Sequence, residues 1–169
     1  MNLKEAHELA ISEMDSWQLI SQGWTFSFNR RRTSFGLCDH TKKQIQLSKI
    51  TAENEPRESV LNTIRHEIAH AIAGSRADHG IVWQRVARIV GCTDINSVAT
   101  PTIETREAIT KTIKYVMVCP KGFVVKTYLR KPSKSTFAKL GSLRVRNRPD
   151  THGKLAIEEY NPSIHLVRA

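Results

Sequence analysis

The stretch RHEIAHA, Arg65 to Ala71, sets His66 and His70 four positions apart with Glu67 directly after the first. On a helix, residues i and i+4 share a face with Cβ atoms roughly 5–6 Å apart, close enough for two imidazoles to chelate one ion. Glu67 is rotated by about 100° from His66, so it flanks the ion instead of binding it. This is an arrangement for metal-assisted hydrolysis. Zinc lowers the pKa of a bound water toward ~7, and a flanking carboxylate takes the proton and later returns it to the leaving amine. A catalytic zinc has three protein ligands and one open position. His79 is the best third candidate, because Gly74 can end the helix and let the chain turn back; Asp78 is the near rival, since residues 79–92 contain no Glu. The shorter metzincin spacing does not fit, as Ala73 and Arg76 stand where that pattern needs Gly and His.

The motif needs a helix, and the sequence supplies one from about Arg57 to Gly74, with Asn54 as expected N-cap and Pro56 in the first turn. On its wheel Leu61, Ile64, Ile68, Ala71 and Ile72 fall within about 100° of arc. They are expected to face the core, with His66 and His70 opposite, beside the small residues Ser59, Thr63 and Ala73. Before it, residues 2–22 carry apolar residues at helical spacing and stop at Gly23. From Trp24 the period becomes two, and WTFSFN, SFGLCD and QIQLS read as three short strands, expected antiparallel because the links are short. After the motif, IVWQRVARIVG repeats Ile81/Val82, Val86 and Ile89/Val90 at helical spacing, a third helix. Beyond a polar stretch, YVMVCPKGFVVKTYL, SLRVRNR and KLAIEEY read as short strands. The fold class expected is α+β: a small antiparallel sheet packed with the HExxH helix and flanking helices, plus a basic β-rich C-terminal appendage. The domains expected are 1–95, a linker over 96–112, and 113–169.

Charge divides the chain. Residues 1–100 hold 12 Lys/Arg against 11 Asp/Glu, and residues 101–169 hold 14 against 5, so +9 of the net +10 lies in the last part. Lys111, Lys114, Lys121, Lys126, Arg130, Lys131, Lys134, Lys139, Arg144, Arg146 and Arg148 run with no acidic residue between them. That asymmetry points to a polyanionic partner for the C-terminal part, the alternative being a solvated, solubilising face. The three cysteines are widely spaced and odd in number, which argues for a reducing compartment and against a disulfide framework. No stretch approaches the ~20 apolar residues that span a bilayer, and Glu5 and His7 interrupt any signal peptide. The expectation is a soluble, intracellular and not secreted protein.

Taken together, the segments WTFSFN, FGLCD, QIQLS, HEIAHA and DHGIVWQRVARIVGC, in this order over about residues 5–92, resemble the SprT/Spartan family of zinc metalloproteases. In that family the strands share this G-x-C and I-x-L-S character, and a His-Gly is followed by an aromatic three residues on, here Trp83. The resemblance implies His66, His70 and His79 as zinc ligands and Glu67 as the catalytic acid/base. It also implies cleavage of proteins crosslinked to DNA, with DNA as activator. Relatives carry a C-terminal zinc ribbon with two cysteine pairs; here only Cys119 remains, so one catalytic zinc and no second structural zinc is expected.

The leading reading is therefore a zinc-dependent endopeptidase acting on DNA-bound or DNA-crosslinked proteins, and the alternative is a DNA-binding or adaptor protein with a structural or vestigial metal centre. Arg65 and Tyr115 are weak oxyanion-donor candidates. Trp24, Trp83 and Tyr115 are base-stacking candidates, with core packing favoured for the two tryptophans. Cys38 and Cys92 are expected to be small buried residues, and His7, His40, His152 and His165 surface or structural ones.

Overall fold

The computed structural model describes residues 1–95 and 100–167. They form two compact units, Met1–Arg106 and Glu107–Ala169. Among the described residues no helix is long and apolar enough to cross a membrane.

The first unit opens with α1 (Leu3–Ser16), whose start is a full capping box: the Asn2 side chain accepts from the Glu5 N–H, and the Glu5 carboxylate accepts from the Asn2 N–H, both at 2.9 Å. It ends six residues short of the expected stop, and Gln18 turns the chain with φ 57°. Ala6, Ala10 and Met14, at helical spacing, are fully buried. The strands β1 (Thr25–Asn29), β2 (Gly36–Asp39) and β3 (Gln44–Ser48) form one sheet in the order β1-β3-β2. β2 runs antiparallel to β3, as expected, but β1 runs parallel to it. The expectation of short links overlooked that residues 30–43, β2 included, serve as the crossover; a parallel pair needs a dozen or more residues there. Central β3 contributes Ile45 and Leu47 to the core.

The stretch expected as a turn before the motif helix instead holds a short helix, α2 (Lys49–Asn54). Asn54 therefore ends one helix and does not cap the next. The motif helix, α3 (Arg57–Ala73), starts from an extended Pro56 at the N-cap, which lacks the N–H that this position would leave unpaired. Its buried arc is also displaced from the expected one: Val60, Thr63, Ile64, Glu67, Ile68 and Ala69 are buried, whereas Ile72 is 42% exposed. α3 packs against α1, β2, β3 and α4 (Ile81–Ile89), so neighbours on several sides widen the arc beyond the apolar stripe. On α4 the core-facing residues are Trp83 and Ala87, while Ile81 and Ile89 are each 69% exposed. A further helix, α5 (Ile103–Lys111), occupies much of the expected linker and carries the boundary between the units.

In the second unit, β4 (Tyr115–Val118), β5 (Val124–Tyr128) and β6 (Ala156–Glu159) form an antiparallel sheet in the order β5-β4-β6. Alternation along β4 sends Val116 and Val118 into one apolar cluster, with Ile113, and Met117 and Cys119 into another, with Leu155. Between β5 and β6 lies a short helix, α6 (Lys134–Ala138). The strand expected over SLRVRNR is not formed. Asn147 takes a left-handed φ of 61°, Arg148 bonds back to the Val145 carbonyl, and Leu143 and Val145 pack beneath as a turn. His165, expected as surface or structural, is buried: its Nδ1 accepts from the Asn161 N–H, which leaves Nε2 to donate to Glu158.

Candidate metal centre

α3 holds His66 and His70 one turn apart, and the loop after it returns His79 to them. Gly74 at φ 89° leaves the helix, Ala77 N–H bonds to the Gly74 carbonyl at 3.1 Å, and Gly80 N–H bonds to Ala77 at 2.9 Å. The Gln84 side chain then donates to the His79 carbonyl at 3.1 Å, fixing the loop to the first turn of α4. The three Nε2 atoms meet at 3.2 Å (His66 to His70), 3.1 Å (His70 to His79) and 3.1 Å (His66 to His79). Among the described residues these three form a group whose ligand atoms converge enough to hold a metal ion. Asp78, the rival third ligand, stays outside the convergence and lies 3.6 Å from His79 Nδ1.

The triangle fits a cation and little else. Each nitrogen carries either a hydrogen or a lone pair, so of three mutual neighbours at least two are alike and repel. A cation makes all three lone pairs attractive. Among the described residues three imidazoles converge and no fourth ligand joins them, the donor set of a catalytic zinc, which would keep one position open. Burial, helped by the neighbouring imidazole of His79, pushes His66 down to about 4. Burial, with His66 and His79, does the same for His70. Both rings are therefore neutral at pH 7, as a ligand must be.

Trp83 packs beneath the centre. Its ring centroid lies 4.7, 5.2 and 4.6 Å from those of His66, His70 and His79, and its side chain is fully buried. The core role expected for it is met, and the same ring also braces all three imidazoles. Trp24 is likewise buried and Tyr115 half-buried in β4. Arg65 is occupied elsewhere: Nε donates to Glu13 at 2.9 Å and Nη1 to the Gly91 carbonyl at 3.3 Å, tying α3 to α1 and to the end of α4.

Glu67 sits in the buried arc, 8% exposed, with the Cys38 backbone N–H donating to its carboxylate. Burial pushes its pKa up to about 8, against the smaller opposing effect of that hydrogen bond. Cys38 itself is pushed up to about 12, first by burial and then by the negative charges of Glu67 and Asp39. Its thiol stays protonated until pH rises toward that value, and only the thiolate alkylates. At pH 8 we expect iodoacetamide to label Cys38 slower than a free thiol by about a hundredfold or more, read by peptide mapping; labelling at the free-thiol rate would contradict this placement.

A sequence profile described as the SprT-like family matches residues 6–107, more than half of the chain. The chain belongs to the SprT-like family. The match runs from within α1 through α4 into α5, and so covers the whole of the histidine centre. SprT-like proteins are commonly linked to metallopeptidases, and membership points to a metalloprotease-like function for this one. Among curated proteins none matches the chain significantly.

The eleven basic residues from Lys111 to Arg148 all lie in the second unit and are all exposed. They are not equivalent. Arg148 is turned onto Asp150 at 3.1 and 3.2 Å, and Lys126 lies 5.4 Å over the Tyr128 ring. Gly36 and the bracing role of Trp83 escaped the sequence reading; a glycine inside a strand pattern was the available signal for the first, since it often marks close approach by another group.

Proposed function

We propose that this SprT-like protein is a zinc-dependent endopeptidase acting on proteins bound or crosslinked to DNA. The observation that carries the hydrolase part is the convergence of three Nε2 atoms at 3.1–3.2 Å beside a buried carboxylate on the same helix. His66, His70 and His79 would hold the ion. Bound there, zinc supplies Lewis acidity to a carbonyl and acidifies water. The protein's own groups do the rest. Glu67 takes a proton at its carboxylate and returns it to the departing amine, a task suited to a group whose pKa is raised toward neutrality. The Cys38 N–H orients that carboxylate, and the buried Trp83 ring, in contact with all three imidazoles, holds them in place.

The DNA part rests on the exposed basic run, whose Lys and Arg side chains would neutralise phosphates without reading sequence. The test is cleavage of a histone crosslinked to an oligonucleotide, with free histone as the control. The zinc-loaded chain is expected to cut the crosslinked protein faster, to lose that preference steeply between about 50 and 200 mM salt, and to lose all cutting when zinc is chelated. Equal, salt-insensitive rates on both substrates would remove DNA from the account. Full zinc occupancy with no cleavage of either would favour a binding or adaptor role.

A further inference from the structure

We infer that Gly36 is a positioning residue for Glu67: the bare Cα of β2 is the seat that lets the Glu67 side chain lie against the strand with its carboxylate on the Cys38 N–H. Placing a Cβ on Gly36 brings it to 2.5 Å from Glu67 Oε1, 2.7 Å from Cγ and 2.9 Å from Cδ. Contacts this short do not persist, so any side chain at position 36 displaces the Glu67 side chain or the strand. Gly36 is not needed for its own backbone. Among the described glycines, those at positive φ are Gly23, Gly74, Gly91, Gly122 and Gly153, and Gly36 is not one of them. In a strand, glycine instead costs conformational entropy and packing, so its presence here needs another reason.

The sheet supplies that reason. β2 is an edge strand, paired only with β3, in the order β1-β3-β2. Ser48 N–H bonds to the Phe35 carbonyl at 2.7 Å, so in antiparallel alternation the odd-numbered residues of β2 point their backbone groups at β3. The groups of Gly36 and Cys38 then face away from β3. α3 packs against β2, and on that free edge the Glu67 carboxylate receives the Cys38 N–H. An unpaired strand edge thus becomes the mount for one carboxylate, with Gly36 and Cys38 acting as a pair: one gives room and the other gives the donor.

The inference builds on the hydrolase reading for its effect on turnover, and its contact geometry stands apart from that reading. Four forms of the full chain test both: wild type, Gly36→Ala, Glu67→Ala and the double variant, each assayed for Tm, zinc content, kcat and KM. Gly36→Ala is expected to keep about one zinc and a KM near wild type while kcat falls about a hundredfold or more. It is expected to lower Tm beside Glu67 and leave Tm unchanged in the Glu67→Ala background, since the clashing atoms are then gone. A kcat within about threefold of wild type, or an equal loss of Tm in both backgrounds, overturns the proposal. If Gly36→Ala alone fails to fold while the double variant folds and binds zinc, the seat is supported. If wild type itself cuts nothing, the hydrolase reading fails and the Tm comparison still decides the contact.

Discussion

Glu67→Gln is expected to retain zinc and fold while losing turnover by about a thousandfold, within the range that general acid–base groups contribute. Glutamine preserves the shape that rests on Gly36 and offers an oxygen to the Cys38 N–H, so the buried arc of α3 is undisturbed. What it lacks is a site that can take and return a proton. Because the substituted group is neutral and isosteric, Tm of the metal-free chain should not fall. Zinc content per chain, Tm and single-turnover cleavage measured on the same preparation check the prediction. Turnover within about tenfold of wild type would mean that another group carries the proton.

His70→Ala should give the complementary result, with metal lost and fold kept. His70 touches both other Nε2 atoms, and removing it leaves two donors where a tetrahedral zinc needs three plus an open position. Since losing a mere hydrogen-bond partner of a ligand already costs 10–100-fold in metal affinity, losing the ligand should cost about a thousandfold or more. A ligand present at about 1,000 times its Kd stabilises by ~4 kcal/mol, a Tm rise of roughly 10 °C for a chain of this size. Wild type should show that rise with added zinc and His70→Ala should not. Burial holds His70 at about 4, so its neutral form is the one already present near pH 7. A zinc-dependent Tm rise of equal size in both proteins would place the ion elsewhere.

Much of the centre was legible because a helix converts sequence spacing into geometry. His66 and His70 were bound to share a face once α3 formed, and Gly74 marked where the chain could turn toward His79. The sequence favoured His79 over Asp78, but what holds His79 in place was not legible: the turn through Ala77 and Gly80 and the Gln84 bond to the His79 carbonyl. The helical wheel misjudged which arc of α3 is buried. It weighted the apolar Leu61 and Ile72, while β2, β3, α1 and α4 together bury Thr63 and Glu67 as well. The three strands of the first unit were readable from the two-residue period, whereas the same period misled over SLRVRNR, and the parallel pairing of β1 with β3 was not readable, since it follows from strand order. The reason for Gly36 lay furthest from reach, because its partner is 31 positions away on another element.

X-ray absorption at the zinc edge of the purified chain tests most directly whether one ion sits on three imidazoles with a position left open. The expected spectrum has one zinc per chain, three imidazole nitrogens at ~2.0–2.1 Å and one further oxygen, with no sulfur near ~2.3 Å. A sulfur shell, fewer than three imidazoles, or a chain that stays metal-free in excess zinc would contradict that arrangement.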